Sequence, residues 1–149
     1  MEPGRLMGFR QAVRAAAVQL LTDYAADERL TLQVYRARPT SIHPPCAFVD
    51  TIREERTFTG PTLVQRVPTA DVVVLHGLYD GGDTVDQADA FTDGFLAWVD
   101  ARYHAAGAAT LVGIVLTEDD PTFVPDWQPP EQQRTYYATR FSLEGLALD

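Results

Sequence analysis

Residues 70–79 read Ala-Asp-Val-Val-Val-Leu-His-Gly-Leu-Tyr and are followed by Asp80-Gly81-Gly82-Asp83. The four consecutive apolar residues from Val72 are typical of a strand buried on both faces of a sheet. The glycines and aspartates after them favour a sharp turn, because they accept the backbone angles that a turn needs. A helical pattern then runs from Thr84 to about residue 106, and Thr84 with Gln87 three residues on predicts a capping box. The stretch therefore predicts a central strand, a tight turn and a long covering helix.

This helix has two different faces. Its apolar positions recur at steps of three and four and predict the side that lies on the sheet; they are Val85, Ala88, Phe91, Phe95 and Val99, widened by Leu96 and Trp98. Four carboxylates, Asp86, Asp89, Asp93 and Asp100, fall along one line of the opposite side. Three interpretations of this acidic row are open: a solvated face, a row of divalent-metal ligands, or a channel-facing or ring-facing surface that acts through its charge.

The rest of the pattern predicts one further helix and a sheet. Alanine-rich residues 5–26 have helical spacing. Strands are expected at residues 30–36, 46–56, 63–75, 110–117 and 135–144, and the strand at 110–117 is apolar enough to be expected inside the sheet. The strand at 46–56 is expected to form an antiparallel hairpin with the next one, in which Pro68 marks a bulge or an edge. The predicted fold is α+β, with a single mixed, largely antiparallel β-sheet and two main helices packed on one face.

Composition limits the classes of protein that are possible. A chain of 149 residues fits a single domain, residues 1–149. Its net charge is −9, from 21 acidic and 12 basic residues, which argues against tight binding along a nucleic-acid backbone. There is no apolar run of about 18 residues and no secretory leader, so neither a membrane span nor secretion is expected. The single Cys46 excludes an intrachain disulfide.

A proline-rich stretch, residues 118–134, separates the last two strands. Loops of this length are usually functional or flexible. It contains Phe123, Val124 and Trp127, which either fold back on the domain or form an interface with a partner or a second subunit. If the loop docks outward, Trp127→Ala is expected to weaken assembly more than folding.

No catalytic motif is present, and we expect no catalytic residue, cofactor or metal. His43 and Cys46 could form a thiol–imidazole pair, but a plain loop histidine and a small buried cysteine explain them as well. Asp80, Asp83 and Asp86 miss the spacing of a calcium loop and suit turn and cap chemistry. His76 is most simply a histidine at the edge of the core.

The order of elements resembles the tail terminator (tail completion) proteins of bacteriophages with long, non-contractile tails. The similarity extends over nearly the whole chain. It depends on the order of the elements and on the kinds of residues within them, not on an invariant motif. The stretches that carry it are the alanine-rich start Phe9-Arg10-Gln11-Ala12-Val13-Arg14, the proline loop into a strand Pro44-Pro45-Cys46-Ala47-Phe48-Val49, the segment 71–106, and the closing Tyr136-Tyr137-Ala138-Thr139-Arg140-Phe141-Ser142-Leu143.

This resemblance implies a structural virion protein that is not an enzyme. It implies a homo-hexameric ring that caps the tail tube at the head-proximal end of the tail, after synthesis in the host cytoplasm. The implied partners are the major tail tube protein and the head–tail connector or stopper protein, and genome DNA would pass without specific binding. An acidic channel would repel DNA phosphates and suits that passage. Two alternatives stay open: a head-side connector or head-closure protein of the same virion, and a small non-viral binding module.

Overall fold

The computed structural model describes residues 8–58, 60–61, 64–79, 82–103, 111–117 and 120–145. In this part of the chain there are two α-helices, six strands and one 3-10 turn. In chain order they are α1 (Phe9–Asp27), β1 (Gln33–Tyr35), β2 (Cys46–Phe58), β3 (Val64–Leu78), α2 (Gly82–Tyr103), β4 (Gly113–Thr117), β5 (Thr122–Phe123), the 3-10 turn (Pro130–Gln132) and β6 (Tyr136–Glu144).

The strands form one mixed sheet in the order β1-β2-β3-β6-β4, and β5 pairs with β6 beyond the end of β4. Every pairing is antiparallel except β1 with β2, which is parallel. The predicted α+β class with a mixed, largely antiparallel sheet is confirmed. No helix of the described chain is long and apolar enough to cross a membrane.

Strand β3 is the centre of this sheet, as its apolar run predicts. Val72, Val73, Val74 and Leu75 are each at most 5% exposed, since β2 and β6 flank the strand and both of its faces are covered. The predicted antiparallel hairpin of β2 and β3 is confirmed. Pro68 lies one residue beyond the last strand pair of β3 with β6, Thr69 with Glu144, and there the N–H of Gly145 donates to the Pro68 carbonyl at 2.7 Å. The proline thus occupies a local edge, where a missing backbone N–H costs no ladder hydrogen bond.

The core has two parts, which alternate residue by residue along the strands because successive strand side chains point to opposite faces. The first part contains Ala47, Val49, Val72, Val74, Phe141 and Leu143, together with Val13, Ala17, Leu21 and Tyr24 of α1 and Phe95 and Val99 of α2. The second part contains Cys46, Phe48, Val73, Leu75, Tyr136 and Ala138, with Phe123 and Trp127 packed against them. The first part includes side chains of both helices, as a one-face arrangement requires, and that arrangement stays a prediction.

Three sequence predictions need correction. Helix α2 begins at Gly82, so Thr84 lies inside the first turn and is not the N-cap, and Asp83 is the first-turn acid that favours the helix dipole. The first strand is only Gln33–Tyr35, because β1 pairs with β2 over just three residues. Strand β4 lies at the edge of the described sheet and not inside it, and Val115 is 50% exposed there.

A register shift in β2 between Val49 and Ile52 frees backbone carbonyls on that strand. Two arginines of α1 satisfy them: Arg10 Nη1 donates to the carbonyl of Ile52 at 2.7 Å, and Arg14 Nη1 donates to that of Val49 at 2.8 Å. Arg14 also donates to the carbonyl of Arg36. Since a bulge disrupts the ladder locally, these bonds tie α1 to the sheet where strand pairing is interrupted.

Candidate assembly surfaces

The proline-rich loop folds back on its own domain through two of its three apolar residues. The rings of Phe123 and Trp127 both meet the fully buried ring of Phe48, at centroid distances of 5.8 and 5.7 Å, and they meet each other at 5.8 Å. Such edge-to-face contacts are favourable beyond the area they bury. The structure therefore supports the fold-back interpretation for Phe123 and Trp127.

Polar contacts fix the loop in the same position. Trp127 Nε1 donates to the carbonyl of Pro39 at 2.8 Å, and the guanidinium of Arg38 lies 5.1 Å from the Trp127 ring centroid. Arg140 donates to the carbonyls of Asp120 and Thr122, which are at the loop's first residues. Because the indole N–H is satisfied within the chain, Trp127 is a structural anchor of the loop.

Val124 differs from its two neighbours, since it is 46% exposed. Of the three residues predicted as an interface, it alone presents an exposed apolar side chain. The role of this loop in binding a partner stays a prediction, and within the described loop it depends on Val124 together with the outer parts of Phe123 and Trp127.

The acidic row on α2 is exposed over its whole length: Asp86, Asp89, Asp93 and Asp100 all lie on the solvent side. Asp89 and Asp93 also line a cavity of about 340 Å³ between α2 and the ends of β4 and β6, together with Thr92, Leu116, Tyr137 and Thr139. Within the described ranges, no three side chains of His, Cys, Asp or Glu converge as a metal site would require. Of the three aspartates considered for calcium, Asp80 lies outside the described residues.

Neutralising the row by the fourfold change of Asp86, Asp89, Asp93 and Asp100 to Asn is expected to leave the melting temperature nearly unchanged. Exposed charges away from special features alter stability by no more than about 0.5 kcal/mol. Relief of repulsion at helical spacing adds a few tenths of a kcal/mol per pair, and Asp86 partly offsets this because it lies near the helix N-terminus.

The measurement is a thermal melt alongside an infectivity complementation assay of the fourfold variant. A channel or ring-face role predicts reduced infectivity at unchanged stability. Full infectivity at unchanged stability would leave only a solvated helix face.

A feature that sequence reasoning missed is a two-stranded extension, the hairpin arm, formed by residues 55–58 of β2 and 64–67 of β3. Strand β6 pairs with β3 only from Thr69 onward, and β1 pairs with β2 only at its first three residues, so neither covers the arm. The last residue of β2, Phe58, is 73% exposed. The sequence of residues 57–61, Thr-Phe-Thr-Gly-Pro, is typical of a turn, whereas the structure keeps Thr57 and Phe58 in β2. The bulky aromatic next to the glycine and proline is the sequence signal that could indicate a contact.

A hydrogen-bond network holds the root of this arm. Arg53 makes a two-pronged contact with Asp71, with Nε and Nη2 each 2.9 Å from a carboxylate oxygen. Thr51 and Ser142 also donate to the Asp71 carboxylate, at 2.8 and 2.7 Å. Burial alone would raise the pKa of Asp71, but the hydrogen bonds from Arg53, Ser142 and Thr51 outweigh it and lower that pKa. The network joins β2, β3 and β6 close to the end of β6, beyond which only β2 and β3 continue.

A second, largely apolar cavity lies at the opposite end of the same two strands. Its volume is about 450 Å³, and it is lined by residues from the end of α1 and the following loop, by the middle of α2, and by Pro45 and His76. These include Tyr24, Glu28, Leu30, Leu32, Ala90 and Phe91. Tyr24 forms its inner wall, with its ring 5.4 Å from that of Phe91 and its hydroxyl donating to the Phe91 carbonyl.

His76 is buried at 7% exposure, between this cavity and the sheet. Its Nε2 lies 2.8 Å from Thr139 Oγ1, and its ring meets that of Phe91 at 5.4 Å. Burial lowers the pKa of His76 to about 4, so the ring is neutral at physiological pH. This position agrees with the prediction of a histidine at the edge of the core.

His43 and Cys46 do not form a thiol–imidazole pair. Nε2 of His43 lies 2.9 Å from Ser41 Oγ. Cys46 is fully buried, and burial raises the pKa of its thiol to about 11. Because the thiolate is the nucleophile, a buried thiol with a raised pKa is unreactive at neutral pH.

Comparison of the chain with protein-family models gives no match, and comparison with curated proteins gives none either. The resemblance to tail terminator proteins thus rests on the sequence features described above.

Proposed function

We propose that this protein is a structural subunit of a bacteriophage tail, which assembles as a hexameric ring that caps the tail tube and forms the surface that joins the head connector. The observation that carries the proposal is the hairpin arm with its exposed tip residue Phe58. A two-stranded hairpin without further strands or a helix against it has little stability of its own. Because burial of the Phe58 ring would remove a large apolar area from water, the arm is the docking element in this proposal.

The placement of the other polar groups supports an assembly role. The network of Arg53, Asp71 and Ser142 at the arm root bonds three neighbouring strands to one another. These bonds stiffen the base of the arm. The buried thiol of Cys46 and the neutral ring of His76 serve packing. The exposed acidic row gives the subunit a strongly negative surface, which in a ring lumen would keep DNA phosphates from adhering.

The partners that follow from this proposal are a second copy of the chain, the major tail tube protein on one side and the head–tail connector or stopper protein on the other. Head-to-tail contacts between different patches of identical subunits generate closed rings when the rotation closes. The ring lies at the head-proximal end of the tail in the virion. The subunit acts by occupying the end of the tube, and no catalysis is involved.

Deleting the gene tests this function and separates it from the head-side alternative. A ring that occupies the tube end blocks further addition of tube subunits, so its loss is expected to give unjoined heads and tubes without a uniform upper length. A head-closure protein would instead leave tails of uniform length and heads that lose DNA. Electron microscopy of the particles reports both quantities, and joined virions of normal length would contradict either role.

A further inference from the structure

We infer that the tip residue Phe58 of one copy inserts into the 450 Å³ cavity between α1 and α2 of the next copy, so that the subunits associate head to tail. This inference rests on the proposed ring, and it names the contact that would build it.

The two surfaces match in size and chemistry. Phe58 is 73% exposed at the end of β2, and aromatic side chains release a large apolar area from water when they are buried. The cavity has the volume of an ordinary small-ligand pocket and is lined mainly by Leu30, Leu32, Pro45, Ala90 and Phe91, with the Tyr24 ring behind them. An aromatic ring that enters such a pocket is the usual form of an interface hot spot.

The positions of the two surfaces favour a contact between copies. Phe58 is the last residue of β2, whereas Pro45 of the cavity directly precedes Cys46, the first residue of β2. At a rise of about 3.3 Å per residue, the tip and the cavity are roughly 40 Å apart along the strand, so a copy cannot fill its own cavity. A knob and a hole at opposite ends of one chain produce a heterologous contact, which continues from subunit to subunit.

The charges beside the two surfaces are of opposite sign, which favours the same contact. Glu28 is the one charged side chain among the described residues that line the cavity. Arg56 precedes Phe58 by two residues, so both project from the same face of β2. Within its own chain the Nε of Arg56 lies 3.3 Å from a carboxylate oxygen of Glu54, and the Arg56 side chain keeps 49% of its surface exposed. Insertion of Phe58 brings Arg56 to the cavity rim beside Glu28.

Disulfide trapping tests the contact on purified protein. Phe58→Cys and Ala90→Cys are made in separate chains and mixed under mild oxidation; Ala90 is chosen because it is exposed and lines the cavity. The native Cys46 is fully buried with a thiol pKa of about 11, so it does not compete. We expect a one-to-one cross-linked dimer from this mixture.

The matched control replaces Ala90→Cys by Val112→Cys, which is on the β4 side and 74% exposed. It is expected to give only the slow background of random collision. Equal cross-linking of Phe58→Cys with both partners, or none with Ala90→Cys at the highest soluble concentration, would overturn the inference.

Substitutions supply a second readout by sedimentation. Phe58→Ala is expected to weaken self-association about 30-fold or more, which is the fold-change of a hot-spot residue, while its melting curve stays normal because the side chain is exposed. Arg56→Glu and Glu28→Arg are each expected to weaken it, and the two reversals in one chain are expected to restore it. Additive loss in the double reversal would contradict the assigned rim pairing.

These assays use purified protein and no virus, so they test the contact between copies independently of the tail function. Specific trapping of Phe58→Cys with Ala90→Cys, combined with normal virions after gene deletion, would keep the contact and remove the tail role. A deletion phenotype as expected, combined with absent trapping, would keep the tail role and remove this contact.

Discussion

Replacing Trp127 by alanine is expected to lower the free energy of unfolding by about 3 kcal/mol, the lower end of the range for an aromatic removed from a core. The indole packs on Phe48 and Phe123, and its Nε1 donates to the carbonyl of Pro39 at 2.8 Å. Its loss would leave a gap over Phe48 and release the loop from the segment that follows β1. Equilibrium denaturation with urea measures the effect.

Two matched variants make this result specific. Trp127→Phe keeps a smaller ring over Phe48 and removes the indole hydrogen bond with part of the packing area, so an intermediate loss is expected. Val124→Ala changes a neighbouring apolar residue that is 46% exposed, and a change within about 0.5 kcal/mol is expected. Unchanged stability of Trp127→Ala with defective assembly would return this residue to the interface role that the sequence also allows.

The stability of the fold is expected to decrease as pH falls from about 6.5 toward 4, because of His76. Burial lowers the pKa of His76 to about 4 in the folded state, whereas a histidine in the unfolded chain has a pKa of about 6.5. As pH falls, the unfolded state therefore takes up the proton first, and unfolding is favoured. The contribution of the neutral His76 ring to the free energy of unfolding is fully present above about pH 6.5. Between that pH and pH 4 the free energy of unfolding falls by an amount on the order of 3 kcal/mol.

Denaturation curves at a series of pH values, for the wild type and two variants, measure this dependence. His76→Gln keeps a polar group toward Thr139 and cannot titrate, so its stability is expected to be flatter between pH 6.5 and 4. His43→Gln is the matched control, because His43 is exposed and bonded to Ser41. Asp71, whose pKa is lowered, loses its contribution only at still lower pH. Equal slopes for the wild type and His76→Gln would contradict the assignment.

The sequence was most informative where a local pattern decides the structure. The run Val72–Leu75 predicts a strand covered on both faces, and this holds because those residues are apolar without alternation. The hairpin of β2 and β3 follows from two neighbouring strands and a turn, and the position of Pro68 follows from its missing N–H. The apolar spacing of α2 likewise predicted that Ala88, Phe95 and Val99 are buried, but Val85 in the first turn, predicted on the same side, is 37% exposed.

The errors arose where contacts distant in sequence decide. An apolar strand such as β4 can lie inside a sheet or at its edge, and only its pairing with β6 alone places it at the edge. The start of α2 was misplaced by two residues because Gly82 and Thr84 both suit a helix start. The contact of Trp127 with Pro39 joins residues far apart in the chain, which no local pattern encodes. The candidate contact residue Phe58 was missed because its exposure depends on where β6 ends.

The central claim is that copies of this chain form a closed ring at the end of a phage tail. Electron cryomicroscopy of tails that contain the protein tests it most directly, since the layer between the tail tube and the head connector can be reconstructed without imposed symmetry. We predict a sixfold layer at this position in which density for the hairpin arm of each subunit reaches the cavity between α1 and α2 of its neighbour. A layer of another symmetry, or no density for this protein at the head-proximal end, would contradict the claim.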